Sequence, residues 1–356
     1  MNDFASSFSI AGRAVGAQAP CYVIAEAGVS HFGSVEKARA LVDLAVSAKA
    51  DAVKFQHFHS ERLVGESAPD WRRRLQSREL SDADMLKVAE YCRKCGITFI
   101  CTAHEETALD FLDRVVGVPA FKIGSGEVEN WPYIAEIARR GKPVILSTGM
   151  YTLDLVCNAL KVLSESGCRE LAILHCVTAY PADPATINLD TMRQIRGIFG
   201  GPVGYSDHAA GTAVALAAVA LGAKVIEKHI TLDVNVPDAQ DWKVSCGPDD
   251  LATFVADIRA IEDALGGEPR RLSETEQNSI LWARKSLTAA RDIAAGERIE
   301  PVMLLSMRPG DGLPPSQLVN IVGRRARRAI SRGTKIDLSM FDECSSGHPA
   351  VKNQKL

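Results

Sequence analysis

The sequence lacks any apolar run that approaches the roughly 20 residues of a membrane-spanning helix. Its first residues also lack the charged and then apolar segments of a secretory signal peptide. An excess of basic residues is missing as well, since the formal net charge is −3. We therefore expect neither a membrane nor a nucleic acid as a partner.

Cysteine is present but lacks the spacing of a zinc site or of a disulfide framework. The nine cysteines are scattered, odd in number and mostly inside apolar segments. This usage is typical of thiols in a reducing compartment and predicts a cytoplasmic protein. One CxxC pair, Cys92 and Cys95, lies in a predicted helix without a second pair, so no metal or redox role is predicted there.

Eight short β-rich runs alternate with helix-length amphipathic segments through the first two-thirds of the 356 residues. The runs cover residues 21–28, 52–56, 97–103, 120–125, 143–149, 171–176, 203–208 and 224–230. Eight such strands predict an α/β fold, a closed (β/α)₈ TIM barrel. An open doubly wound sheet is the alternative, but the first strand leads into Gly-Val-Ser-His-Phe-Gly at 28–33 and not into GxGxxG.

The character of the chain changes near residue 266. We predict a barrel domain over residues 1–265 and a polar linker over 266–283. Short segments punctuated by Gly and Pro then predict a compact, mostly irregular or β module over 284–342, and residues 343–356 form a polar tail.

Polar residues stand at the carboxyl end of each predicted barrel strand, where such barrels build their active sites. In chain order they are Glu26; Lys54 and Gln56; Thr102; Lys122, Ser125 and Glu127; Ser147 and Thr148; His175, Thr178 and Tyr180; Ser206, Asp207 and His208; Glu227, Lys228 and His229. Burying a Lys or a Glu costs several kcal/mol unless it is paired, so core packing does not explain this set. The two lysines either converge on a phosphate and a carboxylate or pair with strand-end carboxylates.

The histidines differ in what their positions predict. His208 and His229 end neighbouring strands and could share a divalent cation with positions open for substrate oxygens. His175 is either a supporting or a site residue, and both interpretations stay open. The histidines at 57, 59 and 104 are predicted to lie in loops after strands, as bystanders without a role in the site.

The ordered strand-end strings resemble the sialic acid synthase family over nearly the whole chain. They are AEAG at 25–28, VKFQ at 53–56, KIGSGE at 122–127, LSTGM at 146–150, HC at 175–176, YP at 180–181, GYSDH at 204–208, EKH at 227–229 and TLD at 231–233. In the terminal module, RKSL at 284–287 and RPGDG at 308–312 resemble the antifreeze-like (SAF) domain that ends these enzymes.

The resemblance implies condensation of phosphoenolpyruvate with N-acetylmannosamine or a related aldose, assisted by Mn²⁺ or Mg²⁺. It makes His208 and His229 the metal ligands and Glu26 a proton-transfer group, with Glu227 beside it in the catalytic set. Phosphate and carboxylate would be held by Lys54, Lys122, Thr102, Ser125 and Ser206, and the sugar by Gln56, Glu127, Tyr180 and Asp241. The family also implies a domain-swapped homodimer, in which Arg308 reaches the partner's sugar, and a pathway of flagellin or surface-polysaccharide glycosylation.

Three departures from the family pattern fall where sugar contacts are expected. Phe32 stands where Asn is usual, Thr178 replaces an Asn, and the stretch around Asp241 differs. We interpret them as a changed sugar preference, such as a diacetamido trideoxy sugar leading to legionaminic or pseudaminic acid.

Two other functions are compatible with parts of the sequence. A deoxy-ketoacid synthase acting on a sugar phosphate would need an extra arginine cluster, and the only one in the barrel half, at 72–74, is predicted to be a solvated helix face. An ice-binding or other non-enzymatic role would not require eight polar strand ends.

Overall fold

The computed structural model describes residues 3–236, 241–266 and 270–342. The chain divides into two compact units, Met1–Gly266 and Gly267–Leu356. The predicted tail at 343–356 lies outside the described residues.

Among the residues that the structure describes, ten strands belong to the first unit. A hairpin of β1 (Ser7–Ile10) and β2 (Arg13–Gly16) precedes the barrel strands β3 (Tyr22–Gly28), β4 (Ala52–His57), β5 (Thr98–Ala103), β6 (Phe121–Ile123), β7 (Val144–Ser147), β8 (Leu171–Cys176), β9 (Val203–Asp207) and β10 (Val225–His229). Neighbouring barrel strands are parallel, and β10 pairs with β3 to close the barrel. The predicted (β/α)₈ fold is therefore confirmed.

The barrel interior is apolar near the starts of the strands. Small and branched side chains such as Ile24, Ala52 and Val225 form an inner cluster. Phe8 and Ile10 of the N-terminal hairpin belong to the same cluster, so the hairpin covers that end of the barrel. The sequence analysis did not predict this hairpin. The inner wall is apolar at this end, and the buried charges that face the barrel interior lie at the carboxyl ends of the strands.

Helices surround the barrel, and most of them pack apolar side chains on the outward side chains of the strands. They are α1 (Val35–Ser47), α2 (Ser60–Leu63), α3 (Pro69–Gln76), α4 (Asp82–Cys95), α5 (Glu106–Phe111), α6 (Trp131–Arg139), α7 (Leu153–Glu165), α8 (Pro184–Ile187), α9 (Thr191–Ile198), α10 (Ala213–Ala220) and α11 (Leu251–Leu265). Side-chain N-caps fix several starts: Ser34, Ser81 and Thr152 each accept a hydrogen bond from a backbone N–H of the first turn. Gly96, with φ 72°, ends α4 in the left-handed conformation.

The second unit has its own small core. Strands β11 (Ser286–Ala289) and β12 (Leu304–Met307) pair antiparallel, and short 3₁₀ turns cover Pro301–Met303, Pro315–Asn320 and Leu338–Met340. Ile293, Ile321 and Phe341 lie in its apolar cluster.

The segment predicted as a linker, 266–283, is not wholly irregular. It contains helix α12 (Glu274–Ala283), which begins with a capping box between Ser273 and Glu276. None of the residues of α12 is buried. The helix therefore has no face that packs in a core, which agrees with the polar composition predicted for this segment.

Candidate active site

Two lysines and two glutamates meet on the inner wall at the carboxyl ends of the strands. We call Glu26, Lys54, Lys122 and Glu227 the rim quartet; all four are buried. Lys54 Nζ lies 2.8 Å from Glu26 Oε2 and 3.6 Å from Glu227 Oε2. Lys122 Nζ lies 3.8 Å from Glu227 Oε1. The lysines thus do pair with strand-end carboxylates, and they do so as one connected group.

Hydroxyl groups from neighbouring strands contact the rim quartet. Lys54 Nζ donates to Thr102 Oγ1 at 3.3 Å. Lys122 Nζ donates to Ser147 Oγ at 2.7 Å, and Ser206 Oγ donates to Glu227 Oε1 at 3.0 Å. The sequence analysis placed Ser147 at a strand end but gave it no role, so its contact with Lys122 adds it to the site. These hydroxyls can hold charged groups in place because they both donate and accept hydrogen bonds.

The charges of the rim quartet shift one another's pKa values. Burial opposes ionisation of Glu227, but the ammonium groups of Lys122 and Lys54 outweigh burial and lower the pKa of Glu227 to about 2. Burial also opposes the charge of Lys54, yet Glu227 and Glu26 raise its pKa. For Lys122 burial prevails over Glu227, so its pKa is lowered. The two lysines are therefore electrostatically different.

Residues predicted to meet the substrate lie around the rim quartet. Gln56 Nε2 donates to Glu26 Oε1 at 3.0 Å. Ser125 Oγ accepts a hydrogen bond from the backbone N–H of Gly149 at 2.8 Å. A Cβ atom at Gly149 would lie 2.3 Å from Thr178 Oγ1, so only glycine fits there. The loops after β6, β7 and β8 thus approach one another closely at this point.

An aromatic and imidazole group stands beside the rim quartet. The rings of His208 and His229 are 5.3 Å apart between centroids, and Tyr180 lies 4.1 Å from His208 and 5.9 Å from His229. Both imidazoles are buried. His208 Nδ1 lies 2.7 Å from the carbonyl oxygen of Val177, so Nδ1–H donates and Nε2 carries the lone pair.

This pair fits a divalent cation. His229 Nδ1 is buried without a hydrogen-bond partner, and Asp241 Oδ2 lies 3.8 Å from it. Burial, followed by the proximity of His229, lowers the pKa of His208 to about 3, so its imidazole is neutral and able to act as a ligand at neutral pH. The structure thus brings together the two histidines predicted from the sequence and adds Asp241 at their edge.

Three other predicted residues have contacts of a different kind. Glu127 Oε2 accepts a hydrogen bond from Asn130 at 2.7 Å within its own turn. His175 Nε2 donates to the carbonyl oxygen of Ile187 at 2.7 Å, which is a structural role on the outer side of β8. Arg308, in the second unit, donates from Nε to the carbonyl oxygen of Ala283.

A buried ion pair lies on the outer face of the barrel wall. The sequence analysis placed both of its residues at strand ends but did not predict that they pair. Lys228 Nζ donates to Asp207 Oδ2 and to the carbonyl oxygen of Ala209, both at 2.7 Å. Asp207 and Lys228 face each other in the register of β9 and β10 and are almost fully buried. Each stands directly before a site histidine, His208 or His229, so the pair fixes the two strand ends that carry these histidines.

Sequence reasoning also missed a group that could hold a metal ion. His57 Nε2 and His59 Nε2 lie 2.8 Å and 3.0 Å from Asp82 Oδ1. His57 is the last residue of β4 and does not lie in a loop as predicted. The His-x-His spacing could have indicated a metal site in the sequence, whereas Asp82 is too remote in sequence to be recognised as a third ligand.

The basic cluster at 72–74 lies in α3, in the segment between β4 and α4. Arg72 donates from Nη2 to the carbonyl oxygen of Val64 at 2.6 Å, and Arg73 pairs with exposed Asp70. These contacts agree with a helix-surface role for Arg72 and Arg73.

Comparison with known proteins decides the family. Residues 41–270 match the NeuB family, and residues 284–342 match the SAF domain. The chain belongs to the NeuB family. The resemblance inferred from the strand-end strings is therefore confirmed, including the SAF-type module.

Several relatives match this protein over nearly all of its length. It is 37% identical to the N,N'-diacetyllegionaminic acid synthase of Legionella pneumophila, over 90% of this chain and 94% of the relative. It is 34% identical to the human N-acetylneuraminate-9-phosphate synthase, over 93% and 95%. The crystal structure of an N-acetylneuraminic acid synthetase from Leptospira borgpetersenii superposes with a TM-score of 0.72 at 31% identity, over 77% of this chain and 95% of that one.

Proposed function

We propose that this protein condenses phosphoenolpyruvate with an acetamido aldose of the N-acetylmannosamine type, giving a nonulosonic acid and inorganic phosphate. The observation that supports this most is the rim quartet, which gathers two buried lysines and two buried glutamates at one end of a NeuB-family barrel. Relatives are named as synthases of legionaminic acid and of N-acetylneuraminate 9-phosphate.

Lys54 and Lys122 suit the two anionic ends of phosphoenolpyruvate. Both ammonium groups are buried, so an anion that enters meets them in a region of low dielectric, where attraction is strong. Thr102 and Ser147 already contact these ammonium groups, and Ser125 and Ser206 lie on the neighbouring strand ends. A bound phosphate would replace part of the present pairing with Glu26 and Glu227.

Charge balance in the pocket favours an additional cation. Two lysines and two glutamates sum to zero charge, whereas the substrate brings a phosphate and a carboxylate. We propose that His208 and His229, with Asp241 near His229, hold Mn²⁺ or Mg²⁺. When bound there, a divalent ion would supply Lewis-acid polarisation of the sugar aldehyde.

The remaining steps need proton transfer and charge stabilisation by the chain itself. C3 of phosphoenolpyruvate forms a bond to the aldehyde carbon, and the resulting alkoxide takes a proton. Glu26 is the candidate proton carrier, since its carboxylate could take a proton from the water that adds at C2 and pass it to the alkoxide. Glu227, ionised because its pKa is depressed, faces the positive charge that develops at C2. Water adds at C2, and the C2–O bond to phosphate then breaks, so phosphate leaves with the bridging oxygen.

The sugar would lie between the rim quartet and the aromatic group. Gln56 at the end of β4 would contact it, with Glu127, Thr178 and Tyr180 from the segments after β6 and β8. Asp241 would approach from the segment after β10. Since Phe32 and Thr178 depart from the usual residues, we propose a diacetamido trideoxy sugar as the preferred acceptor.

We also propose a cytoplasmic enzyme that works as a domain-swapped homodimer, in which Arg308 contacts the partner's sugar. The eight cysteines of the described residues are free thiols, as expected in a reducing compartment. None of the described helices combines the length and the apolarity needed to cross a bilayer. Flagellin or surface-polysaccharide glycosylation is the proposed use of the product.

A panel assay tests the proposed reaction. Phosphate release from phosphoenolpyruvate is followed with N-acetylmannosamine, with a 2,4-diacetamido-trideoxyhexose and with arabinose 5-phosphate, each with Mn²⁺ and with chelator. We expect release with an acetamido sugar and Mn²⁺, fastest with the diacetamido sugar. Release with the sugar phosphate alone would refute the proposed acceptor class.

The proposed contact between Arg308 and the partner's sugar has its own test. Arg308→Ala should raise KM for the sugar by roughly ten- to 100-fold and leave KM for phosphoenolpyruvate unchanged, because a charge-assisted hydrogen bond contributes about 1.5–3 kcal/mol. Arg324→Ala in the same unit is the matched control. An unchanged sugar KM for Arg308→Ala would argue against the swapped arrangement.

A further inference from the structure

The outer-wall cluster consists of His57, His59 and Asp82 and lies on the opposite face of the barrel wall from the rim quartet. Successive residues of a strand point to opposite faces. Gln56 points inward to Glu26, so His57 points outward, where its ring packs 5.1 Å from that of Phe111. The cluster therefore shares no side chain with the site proposed for catalysis.

The backbone presents both imidazoles to one carboxylate. His57 ends β4, and His59 is also extended, with φ −103° and ψ 114°, so the two side chains project to the same side. Their Nε2 atoms lie 2.8 Å and 3.0 Å from Asp82 Oδ1. Ligand atoms that bind one metal ion at roughly 2.0–2.2 Å stand about 3 Å apart, so these separations match a coordination sphere.

A second carboxylate fixes the tautomer of His59. Glu105 Oε1 lies 2.9 Å from His59 Nδ1, and Glu105 is itself held by backbone N–H groups of Thr107 and Ala108 at 2.7 Å and 2.9 Å. An ionised carboxylate only accepts hydrogen bonds, so His59 Nδ1–H must donate. A carboxylate behind a ligating histidine is the usual outer partner at metal sites.

In neutral His59 this tautomer leaves a conflict that either a proton or a metal cation at Nε2 resolves. Neutral His59 presents a lone pair from Nε2 to Asp82 Oδ1, and an ionised carboxylate oxygen is also only an acceptor. His57 Nδ1 is buried without a partner, so a proton on its Nε2 satisfies only one side of that ring. A positive ion among the three ligand atoms attracts all of them at once.

We propose that His57, His59 and Asp82 bind a transition-metal ion of the Zn²⁺ or Co²⁺ type. Two imidazoles and one carboxylate suit such ions better than Mg²⁺ or Ca²⁺, which prefer oxygen ligands. The Asp82 side chain is 44% exposed and that of His59 is 23% exposed, so solvent reaches the site and water completes the coordination. The ion links the end of β4 to the first residue of α4, and through Glu105 to the N-cap of α5.

The test measures Zn²⁺ binding to the full-length chain after treatment with chelator. The double variant His208→Ala/His229→Ala serves as the parent, so that the rim histidines contribute nothing. A chromophoric chelator competes for Zn²⁺ and reports both stoichiometry and affinity. We expect one equivalent to remain in the parent and a rise in its Tm when Zn²⁺ is added.

Further substitutions in this parent locate the ion. His59→Ala and Asp82→Asn should each lose the equivalent, and Glu105→Gln should weaken affinity about 10- to 100-fold. His104→Gln, a nearby histidine outside the cluster, is the matched control and should retain binding. With Co²⁺, the visible absorption of the parent should disappear in His59→Ala.

Two outcomes would overturn the proposal. One is a folded parent that binds no Zn²⁺, in which case a proton on His59 alone links the carboxylates. The other is a His59→Ala or Asp82→Asn variant, folded by circular dichroism, that binds as tightly as the parent. Because rim histidines are absent from every protein in this series, failure here leaves the proposed condensation reaction untouched.

Discussion

The two faces of the barrel wall carry different chemistry on the same strands. On the inner face, the rim quartet brings four buried ionic groups within 4 Å of a partner. On the outer face, His57 follows Gln56 directly and joins a cluster that reaches solvent through Asp82. One residue along a strand therefore separates a low-dielectric charge network from a solvated ligand group, because strand alternation sends neighbours to opposite faces.

Buried and solvated groups should respond differently when they are changed. Charges in the wall have lost their water and depend on one another, so removing one leaves another uncompensated. Groups at the solvated edge can exchange a lost partner for water. The predictions below test this difference from the largest expected effect to the smallest.

The largest effect is expected at the inner face. His229→Ala should lower the rate of phosphate release by roughly 10³-fold or more, since a bound Lewis acid contributes several kcal/mol to such a step. The measurement is steady-state turnover with Mn²⁺, and Lys87→Met, at an exposed ion pair of α4, is the control. Turnover of His229→Ala that persists in chelator would contradict the assignment of this ligand.

Breaking the outer buried ion pair should cost the most stability. Asp207→Asn leaves the ammonium of Lys228 without its counter-charge and should lower the free energy of unfolding by about 3–5 kcal/mol. Denaturant unfolding measures this change. The exposed pair of Lys87 and Asp84 supplies the contrast, because Lys87→Met should cost about 1 kcal/mol or less.

A double variant sharpens that comparison. Asp207→Asn/Lys228→Met removes both charges and should be less destabilised than Asp207→Asn alone, since no uncompensated charge remains. Equal or additive losses would show that the electrostatic pairing is not what holds these strand ends.

Acid should weaken the fold through Glu227. Its pKa falls from 4.5 in the unfolded chain to about 2 in the folded one, so the unfolded chain binds more protons between these values. The stabilisation is complete above pH 4.5 and is lost as pH falls towards 2, by about 3 kcal/mol. Unfolding free energies measured over this range should fall less steeply in Glu227→Gln, and an unchanged slope would exclude this group as the cause.

The smallest effect is expected at the outer-wall cluster of His57, His59 and Asp82. His59→Ala should change turnover by less than about twofold, because surface substitutions away from a reacting centre usually cost little. The variant should nevertheless lose Zn²⁺ binding. A large fall in turnover with unchanged Zn²⁺ affinity would show that the two faces are not separable in the way proposed.

Much of the first unit follows from local pattern. Eight β-rich runs predicted the barrel, and polar residues at their ends predicted where Glu26, Lys54, Lys122 and Glu227 meet. The pattern works because parallel strands place all their carboxyl ends at one rim. It missed the hairpin before β3, whose strands are only four residues long, and helix α12, although Ser273 and Glu276 have the spacing of a capping box.

The sequence by itself determined the order of strands, the set of ionisable residues at the rim and the family, since these depend on periodicity and on short strings. Only the tertiary structure decided which residues touch. Asp82 meets His57 and His59 from 25 and 23 residues away, and Lys228 meets Asp207 from 21. Barrel closure and helix packing bring such residues together. Local sequence patterns do not specify contacts between residues that are this far apart in the chain.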